Sequence, residues 1–332
     1  MLYSDPESNS LPPASLVRLG WSWCAGLFGV LVLGLVILVA LAWLVGDTSL
    51  WWQRLSWIPA ILLLAPILLA LLFGLLIRAR WGPPLRLLLL LALLFITSWV
   101  LGVDYGLFRA RAQQVGDVSL FHWNAASQWG LEVSDPVVED FRVLDPDILV
   151  VTNPGSTLWT AASRDFGVTW PHVARNFTVQ VLSRFPIRTC RMVLSARDCR
   201  VVLIELKLRT QWVRIWAVDL PSDTRLVRSH LFEELAERLD SIDLEPPDII
   251  LGDFNVPLNS VSLNRAFPSM NNAFDLVGAG WHGTWPSEFP LWQLDQMLFG
   301  SRINAVRYQV HPSSHGAHRI QQAVIRPRQS TP

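Results

Sequence analysis

The chain has 332 residues, 27 basic and 27 acidic, and 51% of them are hydrophobic, which excludes a disordered chain held open by its charge. Seven of the basic and four of the acidic residues fall within 1–111, leaving 20 basic against 23 acidic for 112–332. That stretch has no broad basic face, so tight nucleic-acid binding by counterion release is not expected.

Behind a tail at 1–20, three apolar runs occupy residues 21–103: "WSWCAGLFGVLVLGLVILVALAWLV" (21–45), "WIPAILLLAPILLALLFGLLI" (57–77) and "LRLLLLLALLFITSWVLGV" (85–103). Each reaches the roughly 20 residues that cross a hydrocarbon core. None shows the polar stripe of a helix buried in a soluble protein, so three transmembrane helices are predicted. A signal sequence cut after Ala40-Leu41-Ala42 fits poorly with the length of the first run and the two runs behind it. Arg78, Arg80 and Arg86 form the densest basic cluster beside any run, which places their loop in the cytoplasm. The loop "GDTSLWWQR" (46–54) and everything after 104 then lie on the extracytoplasmic side, although Arg109 and Arg111 pull the other way. Trp51 and Trp52 suit an interfacial aromatic belt.

A linker at 104–115 leads to a domain at 116–326 and a short tail at 327–332. Strand-like segments recur at 118–125, 147–151, 178–183, 200–208, 213–220, 248–253, 294–300 and 320–325, interleaved with helical stretches. In "TRLVRSHLFEELAERLDSI" (224–242), Leu226, Leu231, Leu235 and Leu239 stand near helical spacing, behind Ser222 and Asp223 as candidate caps. Cys190 and Cys199 flank "RMVLSARD". A hairpin turning at Leu194-Ser195 would set them opposite each other at disulfide distance, and two free buried thiols are the alternative. The reading is an α/β layered domain with polar residues at strand ends: Asn124, Asn153, Asp219, Asp253, Asn255, Asp295 and either His315 or His318. Each alone is an ordinary turn former. Their joint recurrence where strands finish points to one cleft.

The segments "FHWNAAS", "PDILVVTNPG", "VLSRFPI", "IWAVDLPSD", "PPDIILGDFNVPLNS", "GTWPSEFPLWQLDQMLFG" and "GAHRIQQAVI" stand in the order of the endonuclease/exonuclease/phosphatase family, which the chain resembles over about 116–326. The resemblance implies two packed β-sheets flanked by helices (a four-layer sandwich), behind an all-α membrane region of three spans. It implies water attack on a phosphoester assisted by Mg²⁺ or Mn²⁺. The implied roles are arrangement of the metal site by Asn124, water orientation or metal contact by Asp253, phosphate binding by Asn255, and a general-base His318 oriented by Asp295, while Asn153 and Asp219 are metal-ligand candidates that replace family residues. In a second register His315 of "SSH" replaces His318, but the spacing of Arg319 and the apolar strand after it favours His318. Three positions depart from the pattern: Asn153 stands where the family has a metal-binding Glu, Asp219 where it has a phosphate-facing His, and Ala317 where it has an Asp. Gln296 also replaces a common His. Two functions follow. One is a membrane-anchored, metal-dependent hydrolase of a phosphorylated small molecule, lipid or sugar. The other is a catalytically silent family member acting as a membrane-tethered binding or scaffolding module.

Overall fold

The structure, a computed structural model, describes residues 13–77, 83–107, 117–126, 135–154, 169–314 and 316–328; Arg78, Arg80, Arg109, Arg111 and His315 lie outside the described residues. Leucine- and alanine-rich sequence without interior glycine clusters forms helices α1 (Pro13–Val45), α2 (Leu50–Ser56), α3 (Ala60–Leu76) and α4 (Pro83–Trp99), the last continuing as a π-helical turn to Asp104. Two segments, Leu16–Val45 and Pro83–Asp104, are long and apolar enough to cross a membrane, and a third is added if α3 counts with α2, from which it is bent by 71°. At 17 residues α3 spans about 26 Å, slightly less than a hydrocarbon core of about 30 Å. Leu27, Leu44, Leu75 and Leu94 stay exposed on these helices, a surface that only lipid or another apolar partner stabilises.

The second compact unit comprises residues 43–57 and everything from 101 onward. Its strands are β1 (Val118–Asn124), β2 (Ile148–Thr152), β3 (His172–Asn176), β4 (Val179–Ser183), β5 (Ile187–Ala196), β6 (Cys199–Leu208), β7 (Gln211–Asp219), β8 (Ile249–Asp253), β9 (Asn271–Asn272), β10 (Asp295–Phe299), β11 (Ile303–His311) and β12 (Ile320–Pro327). They form two six-stranded sheets, in the orders β11-β12-β1-β2-β4-β3 and β5-β6-β7-β8-β10-β9. Among the described residues, helices α5 (Asp135–Leu144), α6 (Arg228–Asp240), α7 (Val261–Ala266) and α8 (Ala273–Val277) also belong to the unit.

The inner faces meet through Leu120, Val150, Val181, Ile204, Ile215, Leu251 and Met297. On the outer faces, Phe232 and Leu235 of α6 pack on one sheet and Phe141 of α5 on the other, which gives the four layers. Continuous apolar runs in β2 and β8 follow from burial on both faces. The two parallel pairs, β1–β2 and β7–β8, carry crossover helices α5 and α6, so all four strands end at the same edge.

Two expectations change. The β5–β6 hairpin turns after Ala196, at Arg197 and Asp198, both at positive φ. Cys190 therefore pairs with Ile204 and Cys199 with Ala196; the two thiols are free, and no disulfide joins them. The cap of α6 is not Ser222 or Asp223. Asp223 turns back to bond Arg225, and the N-cap position falls on Val227, which offers no side-chain acceptor. Gln53 of α2 supplies it instead: its Oε1 accepts from Arg228 N at 2.9 Å and its Nε2 donates to Leu226 O at 3.1 Å, with no solvent exposure. Helix α7 has its own N-cap, Ser260, whose Oγ accepts from Leu263 N at 3.0 Å, and the loop before α2 adds to it. Asp47 Oδ1 accepts from Ser262 N and Oγ at 2.9 Å each, and Oδ2 accepts from Ser260 Oγ. Trp292 Nε1 donates to Trp57 O. Residues 46–57 are thus part of the β-sheet unit, held there by buried polar bonds.

Candidate functional site

Asp219 ends β7, Asp253 ends β8 and Asp295 begins β10, and the register aligns them: Asp219 opposite Asp253, and Asp253 opposite Asp295. Residues paired across strands share a sheet face, so three carboxylates stand in one row. The close approach of β7 to β8 requires Gly252. It has φ +140°, and a Cβ there would lie 1.9 Å from the carbonyl oxygen of Val218. From the other sheet, Asn124 ends β1 and Asn153 follows β2, with Asn153 and Asn255 both in the left-handed region that asparagine tolerates.

The seven expected residues other than His315 gather in one place as two bonded groups, Asp295 with His318 and the other five together, with Asp253, Asp295 and His318 within 4.8 Å of one another. His318 Nδ1 lies 2.8 Å from Asp295 Oδ2. Asn124 Nδ2 donates to Asp253 Oδ2 at 2.9 Å, and Asn255 N donates to Asp253 Oδ1 at 2.9 Å. Asn153 Nδ2 donates to both Asn124 Oδ1 (3.3 Å) and Asp219 Oδ1 (3.2 Å). Asn255 spends one N–H on Leu220 O at 2.8 Å, so part of its side chain locks the Gly252–Asn255 turn to the end of β7. Gln296 points away into a buried amide cluster with Asn272 and Gln293.

Burial alone would lower the His318 imidazole, but the Asp295 carboxylate overrides it and lifts the pKa to about 9. Burial would raise Asp295, and the facing imidazolium holds it below the usual carboxylate range. Asp253 is pushed up by burial and by the charge of Asp295. Beneath the row, His122 is kept neutral by burial and bonds Gln321 and Thr152, while Gln321 Nε2 donates to Asp295 O. This layer fixes the backbone from which Asp295 reaches His318.

Arg200 was not legible as a site residue. It sits second in β6, and only its register opposite Asp219 brings Nη1 to 3.0 Å from Asp219 Oδ2. Burial raises Asp219, against which Asn153 and Arg200 act. The corner expected to hold a metal thus contains one carboxylate, already paired with a guanidinium, and two amides bonded to their neighbours. A hard divalent ion needs several free anionic oxygens, and this corner does not fit it. Asp253, Asp295 and His318 bring one potential ligand atom each within 4.8 Å of one another, with His318 Nδ1 already bonded to Asp295 Oδ2 at 2.8 Å.

A sequence profile of the Endonuclease/Exonuclease/phosphatase family matches residues 121–323. Among solved structures, TDP2 from D. rerio complexed with a single-stranded DNA product is 9% identical with a TM-score of 0.51, over 63% of this chain and 99% of that one. The human Nocturnin catalytic domain with bound sulfate is 15% identical with a TM-score of 0.49, over 66% of this chain and 98% of the other. A mannosyl-6-phosphatase from Bacteroides thetaiotaomicron is 13% identical with a TM-score of 0.46, over 63% and 99%. At such identities the likeness concerns the fold. No curated protein matches the chain.

Proposed function

Because the chain belongs to the endonuclease/exonuclease/phosphatase family, we propose that it is a membrane-anchored phosphoester hydrolase in which Asp253 and His318 carry the proton transfers. The observation that carries this reading is the buried His318–Asp295 pair set beside Asp253 where both sheets end. In the proposed step a water oxygen attacks phosphorus and gives its proton to Asp253, whose raised pKa suits a base near neutral pH. The ester P–O bond breaks, its electron pair stays on the leaving oxygen, and the protonated His318 supplies the proton to that oxygen. With Nδ1 committed to Asp295, Nε2 is the donating atom. His318 then works as an acid in this step, rather than as the base expected from the sequence.

Members of this family are commonly divalent-metal dependent, and the resemblance implies Mg²⁺ or Mn²⁺, but the corner of Asn124, Asn153 and Asp219 does not fit such an ion. The substrate class that suits a domain with slightly more acidic than basic residues is a small phosphorylated molecule, lipid or sugar rather than a duplex. An extracytoplasmic domain is supported by the basic loop at Arg78–Arg86. The bonds from Asp47 and Gln53 to the domain support an even number of crossings between residue 57 and residue 104, in keeping with three spans in all.

The test is release of nitrophenolate from bis-p-nitrophenyl phosphate by the full chain in detergent micelles, with and without added Mn²⁺. His318→Ala and Asp253→Ala should each lower the rate at least about a hundredfold, the usual range for a lost acid or base. A second reading, a silent binding module, is favoured by the closed amide corner at Asn124, Asn153 and Asp219. Absence of turnover on phosphodiesters and phosphomonoesters in both conditions would decide for it.

A further inference from the structure

The row Arg200, Asp219, Asp253, Asp295 crosses four neighbouring strands in register, β6, β7, β8 and β10. A cation stands at each end: Arg200 on Asp219, and His318 on Asp295. Between them Asp253 has no ion-pair partner among the described residues, and both its oxygens accept from protein N–H groups. Both oxygens of Asp219 are also taken, one by Arg200 and one by Asn153.

The substitutions at this corner make sense only together. A carboxylate at 153 would face Asp219 at about the 3.2 Å now spanned by a hydrogen bond, a like-charge contact that costs several times the bond it replaces. The amide instead donates to Asp219 and to Asn124, and so passes the order on to Asp253. A divalent ion placed there would meet amide N–H groups aimed toward it and a guanidinium beside it. Arg200 Nη1 donates to Asp219, and its side chain keeps 29% of its exposure. A guanidinium has five donors in a planar fork that matches a phosphoryl group.

We propose that Arg200 takes over the electrostatic role of the divalent ion, so that this site binds a phosphoryl oxyanion without metal. The inference rests on the phosphoester reading of the site, though not on turnover. The three carboxylates are each engaged before an anion arrives: Asp219 by Arg200, Asp295 by His318, and Asp253 by the N–H groups of Asn124 and Asn255.

The full chain in detergent micelles, stripped with EDTA, is titrated calorimetrically with Mn²⁺ alone and, separately, with inorganic phosphate. The expected result is no saturable Mn²⁺ binding, phosphate binding in the presence of EDTA, and at least a tenfold weaker phosphate affinity in Arg200→Met. The double variant Asn153→Glu, Arg200→Met should gain one Mn²⁺ site, which also shows that the corner still folds. Stoichiometric micromolar Mn²⁺ binding by the unmodified chain would overturn the inference. So would phosphate binding that needs Mn²⁺, phosphate affinity unchanged in Arg200→Met, or no phosphate binding at all. Turnover separates the two ideas. Phosphate binding without hydrolysis removes the hydrolase and leaves the guanidinium site, whereas Mn²⁺-dependent hydrolysis does the reverse.

Discussion

Replacing Asp295 by Asn should collapse the charge on His318. The imidazole is buried, with 6% exposure, and burial on its own lowers its pKa; the carboxylate 2.8 Å away is the main group that raises it to about 9. With that charge gone, the pKa should fall to 6.5 or below. The drop from about 9 corresponds to a coupling of about 3 kcal/mol, at roughly 1.4 kcal/mol per pKa unit. The assay is an NMR titration of histidine-labelled full chain in micelles between about pH 5 and 10, His318 being assigned by the signal lost in His318→Gln. The sign carries over to stability. Because the folded pKa lies above the unfolded one, the contribution is complete below pH 6.5 and fades as pH rises through about 9. Asp295→Asn should therefore lower the unfolding midpoint markedly at pH 6 and little at pH 10. A wild-type pKa below 7, or an equal loss of stability at both pH values, would refute the assignment of His318 as a cation held by Asp295.

Three other outcomes follow from the geometry. Gln53→Ala removes the acceptor for Arg228 N and the donor to Leu226 O, both buried, and should cost the β-sheet unit about 2–3 kcal/mol in chemical denaturation; a change under about 0.5 kcal/mol would mean that α6 does not depend on α2. Gly252→Ala forces a Cβ to within 1.9 Å of the Val218 carbonyl oxygen, so the variant should not reach a protease-resistant fold, and wild-type resistance would contradict the β7–β8 approach described. Labelling of unfolded, unreduced protein should modify Cys24, Cys190 and Cys199 alike, and one modified thiol in place of three would show a disulfide. In the folded chain burial raises both Cys190 and Cys199 to about 11, so neither should react quickly at pH 8.

Much of the site was legible because its residues lie where strands stop. Asp253 follows a continuous apolar run, and Asn124 closes a largely apolar strand broken by Ser119 and His122; a buried strand that ends in a polar side chain places it at the sheet edge. The same local logic found the long apolar helices and most strands. It misplaced the β5–β6 turn by three residues, because only the left-handed Arg197 and Asp198 fix where the chain reverses. It gave α6 a local cap, since Ser222 and Asp223 are good cap residues, whereas the acceptor comes from 175 positions away.

What the sequence determined alone is the division into apolar helices and an α/β domain; it also singled out six polar residues at or just past strand ends, with His318 preferred over His315. Periodicity and composition act over a few residues and need no partner to be read. Tertiary structure alone decided that Arg200 stands against Asp219, that Asn153 donates where it was expected to ligate a metal, and that Asp47 and Gln53 belong to the β-sheet unit. Each of those is a pairing between distant segments, set by strand register and helix docking. A polar side chain's charge partner, and hence its chemistry, depends on that register and not on its neighbours in the chain.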